Sequence, residues 1–171
     1  MYHYIFHLKQ SLEKLLEFAV IAVVGALVLD VLWGVCTRFL LNSPSRWTEE
    51  VAIMLLIWVS LLGAAVAFGR GQHLGVDYFV KKLDPSAQRL MAGVVQLVVM
   101  AFATLAMVYG GYMLVTETFQ SGQLTPALGI KKGYAYLPVP ISGVFILLFC
   151  GENFLELIRG KSENIVEDNQ K

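Results

Sequence analysis

Asp30 is the carboxylate set deepest inside an apolar run, between Leu27-Val28-Leu29 and Val31-Leu32-Trp33. On insertion scales a charged group at that depth costs roughly 2.5–3.5 kcal/mol, so it needs a reason to be there. Arg38 stands two helical turns later, on the same face as Asp30 and Gly34. The pattern reads either as a proton or ion relay or as a polar contact to a partner or to headgroups. Without a second acid at that depth, the contact is favoured. Glu49 and Glu50 open the next apolar run, behind Ser43-Pro44-Ser45. Either serine can cap a helix there, and Pro44 suits its first position. The two carboxylates complement the positive end of the helix dipole; they equally suit ion pairs to Arg38, to Arg46 or to a partner. Gly71, His73 and Asp77 form a polar turn after that run. A lone histidine is no metal site, so a turn or capping role is expected. Cys36 and Cys150 lie in different runs and at different depths, and no CxxC spacing occurs; no disulfide is expected between them. These observations point to no catalytic residue, bound cofactor or metal, and the chain reads as a non-enzyme.

The elements that carry these residues are membrane spans. Of the 171 residues, 57% are hydrophobic and 15% charged, with zero net charge, values that belong to an integral membrane protein. Dispersed basic residues exclude a nucleic-acid partner. Val51 to Gly69 carries no charge, and about 20 apolar residues of helix cross a bilayer core. Four such runs are expected as spans at 15–38, 47–69, 88–116 and 133–158. They form one all-α domain, 1–160, folded as an antiparallel four-helix bundle with neighbouring spans packed together; 161–171 is a polar, disordered tail. The uncharged third run exceeds what a vertical span needs and implies tilt or an extension out of the bilayer. The first run lacks a cleavage pattern and reads as a retained signal anchor. Lysine and arginine distribute nine to four between the two sides. By the positive-inside rule both termini are then cytoplasmic, and 40–46 and 117–132 face outward.

Lysine-flanked apolar stripes suggest a short interfacial helix at 74–83. The same reading competes with a frayed span for the N-terminus. Trp47 suits the membrane boundary; Trp58, mid-span, is expected to pack against another helix. Small pairs Ala22/Ala26, Gly63/Ala67 and Ala106/Gly110 offer sites of close helix approach. Tyr134 and Tyr136 suit interfacial anchoring, and Pro126, Pro138 and Pro140 an ordered loop leading into the fourth span.

In order, Arg38-Phe39, Asn42-Ser43-Pro44, Trp47-x-Glu49-Glu50, Trp58, Leu62-Gly63-Ala64-Ala65 and Gly71-x-His73-x-x-Val76-Asp77 resemble the small membrane subunit of tripartite ATP-independent periplasmic (TRAP) transporters, the DctQ-like family. The likeness covers about residues 12–160. Phe68–Tyr78 and Tyr136–Pro140 look most like the branch serving acidic sugars, including sialic acid. The resemblance implies a bacterial inner-membrane complex. A periplasmic solute-binding protein captures a carboxylate solute, and a large DctM-like membrane subunit carries the solute and Na⁺ sites. The small subunit braces that partner and helps to dock the binding protein. Asp30, Arg38, Trp47, Glu49, Glu50, Trp58, Gly63, Gly71, His73 and Asp77 are then candidates for the partner interface, and Arg46, Lys131 and Lys132 for periplasmic docking. Asp30 departs from the family pattern. The alternative is a small self-assembling four-span exporter using Asp30 as its essential acid. A four-helix cytochrome would need histidines inside spans, and His3, His7 and His73 lie outside the runs.

Overall fold

A computed structural model describes residues 2–70 and 85–158 of the chain. Helix α1 runs Tyr2–Phe39 and α2 Arg46–Gly69; α3, Pro85–Phe102, passes into a π-helical segment, Ala103–Gly110, and then α4, Gly111–Gln120. A one-turn helix α5, Gly133–Tyr136, precedes α6, Pro138–Ile158. Among the described residues, four helices are long and apolar enough to cross a membrane: Leu12–Phe39, Arg46–Gly69, Gly93–Gln120 and Gly133–Glu152. Only helices satisfy every backbone group within one spanning segment. That is why apolar runs this long fold locally without needing a neighbour.

Helix α1 is unbroken from Tyr2, about 57 Å for its 38 residues. The N-terminal stripe is thus a continuation of the first span, not a separate surface helix. The expected interfacial helix at 74–83 and the tail lie outside the described residues. At α2 the first helical residue is Arg46 and the N-cap is Ser45, so Pro44 sits outside the helix and not at its first position. The Ser45 hydroxyl does not cap the backbone; it lies 2.9 Å from Thr48 Oγ1, which itself donates to the Ser45 carbonyl at 2.8 Å. Pro138 and Pro140 fall in the first turn of α6, where a missing N–H would have had no helical partner.

The spans form a row rather than a ring. Helix α2 packs on α1 along one side and on α6 along the other, and the third span packs on α6. Thus 2 and 4 are neighbours, and 4 and 3; the expected packing of spans two and three on each other is replaced. The registers fix directions. Gly34 faces Thr48 while Arg70 reaches Glu17, so α1 and α2 are antiparallel. Trp58 meets Tyr134 and Gly69 meets Phe149, so α2 and α6 run parallel. Gln96 meets Cys150 and Gly111 meets Val139, so α6 and the third span are antiparallel.

The core gathers where α2, the π-helical segment and α6 meet, around Leu62, Ala65, Phe68, Met107, Ile146 and Phe149, with Leu16 entering from α1. Close approach is bought by glycines other than the expected pairs. A Cβ on Gly143 would lie 2.7 Å from Met107 Cβ, and one on Gly111 2.9 Å from Val139 Cγ1. Gly63 faces open space, and Ala22, Ala26 and Ala106 are exposed.

Candidate interaction site at the α1–α2 turn

The end of the bundle farthest from the chain termini holds most of the singled-out polar residues. It is built from the α1–α2 turn and from the loop 121–132 between α4 and α5. Thr37 Oγ1 donates to the Gly34 carbonyl at 2.9 Å, and Ser43 N donates to the Thr37 carbonyl at 3.1 Å. Asn42 takes a positive φ of 49°, a left-handed geometry that asparagine tolerates better than most residues. Together these close the turn tightly enough for Thr48 to pack on Gly34.

Loop 121–132 is a compact hairpin. Thr125 N donates to the Ile130 carbonyl at 2.8 Å and Lys132 N to the Gln123 carbonyl at 3.0 Å, around an isolated bridge between Leu124 and Lys131. Gly122 and Gly129, both at φ +65°, supply the left-handed residues that its turns require. Glu50 holds the tip. Its carboxylate accepts the backbone N–H groups of Ala127 at 2.8 Å and Leu128 at 3.1 Å. This is a bidentate, charge-assisted contact across 77 and 78 residues of sequence. Of the alternatives open for Glu50, an ion pair to Arg38 or Arg46 gives way to capture of main-chain amides. Beyond the hairpin, Phe119 stacks edge-on against Tyr134 at 5.1 Å, and Lys131 Nζ lies 5.9 Å from the Phe119 ring centre.

Two clefts meet here. One, about 480 Å³, lies between α1 and α2 and is lined by Asp30, Gly34, Arg38, Thr48, Glu49 and Ala52. The other, about 490 Å³, lies between α2 and the hairpin, against Glu50, Ile53, Pro126 and Ala127. Arg46 and Glu49 border both. Asp30 is 9% exposed, and neither of its oxygens has a hydrogen-bond partner.

The structure thus brings Asp30, Arg38, Arg46, Glu49 and Glu50 to one end, with Trp47 half-exposed beside them and Lys131 and Lys132 following the hairpin. Trp58 stands apart: it packs on the core and donates from Nε1 to the Tyr134 carbonyl at 3.2 Å. Gly63 lies deeper still, while Gly71, His73 and Asp77 fall outside the described residues. No group of three or more metal-ligating side chains occurs among the described residues.

Sequence reasoning missed three contacts. Gln96, the amide inside the third apolar run, donates to the Cys150 carbonyl at 2.8 Å; its polarity in that run was the available signal. Arg70 pairs with Glu17 at 2.6 Å, at the end of α1 and α2 opposite their turn. The Glu50 clamp left no signal, because its partners are backbone groups.

The arrangement suits recognition of another protein, with charged groups at a mouth and a carboxylate below them. The chain is 28% identical over 160 residues to the sialic acid TRAP transporter small permease protein SiaQ of Vibrio cholerae, covering 92% of this chain and 91% of that one. It is 28% identical over 99 residues to the C4-dicarboxylate TRAP transporter small permease protein DctQ of Rhodobacter capsulatus, covering 56% and 41%. It is 24% identical over 143 residues to the sialic acid TRAP transporter permease protein SiaT of Haemophilus influenzae, covering 83% of this chain but 22% of that protein. The model of the DctQ component of tripartite ATP-independent periplasmic transporters matches residues 27–160, and the chain belongs to that family.

Proposed function

We propose that this chain braces the large membrane subunit of a TRAP transporter and presents the surface on which the periplasmic solute-binding protein docks. The observation that carries this reading is the match to SiaT, in which the region similar to this chain makes up 22% of a longer permease. A segment that can be part of a larger permease is suited to lie against one. The geometry supports the same role. A secondary transporter places its sites in broken, polar helices at mid-depth. Here the mid-span amide of Gln96 is satisfied internally, and Asp30 opens onto a cleft at the side of α1 and α2.

The excess of lysine and arginine on the side of the termini orients the chain in the bacterial inner membrane with both termini cytoplasmic. The clamped hairpin, Arg46, Lys131 and Lys132 then face the periplasm as the docking surface. Na⁺ is the coupling ion and is bound by the large subunit. The solute is a carboxylate, sialic acid or another acidic sugar, as supported by the likeness to SiaQ over most of both chains.

Reconstitution tests this. With the large subunit, the binding protein and an inward sodium gradient, proteoliposomes should accumulate labelled sialic acid, and excess succinate should not compete. The chain alone should give no uptake and should co-purify with the large subunit. Sodium-driven uptake by this chain alone would overturn the reading, and competition by succinate would move the solute to the dicarboxylate class.

A further inference from the structure

We infer that the cleft between α1 and α2 receives a lysine or arginine side chain from a membrane helix of the large subunit, with Asp30 as its counter-ion. This rests on the proposed role beside a large permease partner. Asp30 is nine-tenths buried within this chain and lines an open cleft, yet both of its carboxylate oxygens are covered and lack a donor. The cleft beside it, about 480 Å³, leaves room for an entering side chain. An unpaired carboxylate at this depth is costly, and intramembrane acids are held by pairing.

Among the described residues no cation pairs with Asp30. Arg38 is eight residues further along α1, about 12 Å along the axis at 1.5 Å per residue, and Arg46 lies beyond the turn. All 13 lysines and arginines fall outside the middle of the four apolar runs. A second copy inserted the same way would carry Arg38 at the same depth as the first, so self-association does not solve the problem. A metal ion fits poorly. A hard cation takes about six oxygens or more, whereas Asp30 is the one carboxylate at this depth. The remaining source of positive charge at mid-depth is a different membrane chain.

The test uses the co-purified complex together with the small subunit alone. Asp30→Asn and Asp30→Leu should weaken association with the large subunit about tenfold or more, as loss of one member of a buried charged pair does. In the isolated subunit the same variants should melt no lower than wild type, because there the charge has no partner to lose. Asp30→Lys should abolish uptake, and selection for restored uptake should return lysine or arginine replaced by an acid in a membrane helix of the large subunit. Wild-type assembly and uptake by Asp30→Asn would overturn the inference. So would equal destabilisation of the isolated subunit, which would make Asp30 an internal structural group. Loss of co-purified phosphatidylethanolamine with the large subunit retained would overturn it too, by assigning the cleft to a lipid ammonium. Failure of the wild-type chain to co-purify would instead remove the functional reading beneath it.

Discussion

Glu50 and Glu49 are adjacent in sequence but differ in what they touch. Glu50 accepts two main-chain N–H groups from the hairpin, whereas Glu49 is exposed at the border of both clefts. Hydrogen bonds to a charged group contribute about 1.5–3 kcal/mol each when buried, and less where water competes. Glu50→Ala should therefore speed amide exchange at Ala127 and Leu128 by at least about tenfold, equivalent to about 1.4 kcal/mol. Glu49→Ala should leave both amides protected. Amide exchange by mass spectrometry checks this, and equal effects of the two changes would refute the clamp. At mid-span the expectation is milder. Gln96→Leu removes an interhelical bond to Cys150. Such bonds average about 0.6 kcal/mol within membranes, so unfolding in detergent should shift by less than about 1 kcal/mol.

Among the elements, α6 is the hub, since α2 and the third span both pack on it. The π-helical segment Ala103–Gly110 faces α6. It is longer than the single-turn π-bulges that interrupt most such helices. Gly143 admits it: a Cβ there would press on Met107 Cβ at 2.7 Å and on the backbone nitrogen of Val108 at 3.2 Å. Gly143→Val should cost about 1–3 kcal/mol or more through overpacking, read as lower thermal stability of the isolated subunit. Gly63→Ala, in open space, should be neutral or raise stability by about 0.5–1 kcal/mol, the helix-interior gain from replacing glycine. A bulkier Gly63→Leu tests the candidate partner face. It should leave the isolated subunit folded and reduce co-purification with the large subunit; unchanged co-purification would place the interface elsewhere.

For the whole molecule, the row of spans matters more than their number. A ring would have enclosed α1; the row leaves it at an edge, with Phe18, Leu29, Leu32 and Phe39 more than half exposed. In a bilayer this surface meets lipid or another subunit equally well in hydrophobic terms, so packing and polar contacts choose the partner. At one end Glu17 and Arg70 tie α1 to α2. That pair is partly exposed and contributes about 0–1 kcal/mol, so Arg70→Ala should alter stability little in a melting assay. At the other end the two clefts meet at Arg46 and Glu49, and one of them borders the hairpin. Reversing Lys131 and Lys132 to glutamate should lower uptake at limiting concentrations of binding protein while leaving the transporter assembled, as loss of a docking charge acts first on encounter.

Four helices long and apolar enough to span a membrane were legible in the chain, because hydrocarbon forces each crossing segment to satisfy its own backbone and to be about 20 apolar residues long. Asp30 and the paired glutamates stood out for the same reason: charge is conspicuous where the solvent is oil. Tertiary structure alone decided that spans two and four are neighbours, that Gly143 and Gly111 rather than Gly63 admit close packing, and that Glu50 grips a hairpin 77 residues away. Lipid offers no hydrophobic gradient to mark one apolar face from another, so shape selects the neighbours. A backbone amide carries no side-chain signature by which a distant carboxylate can be matched to it.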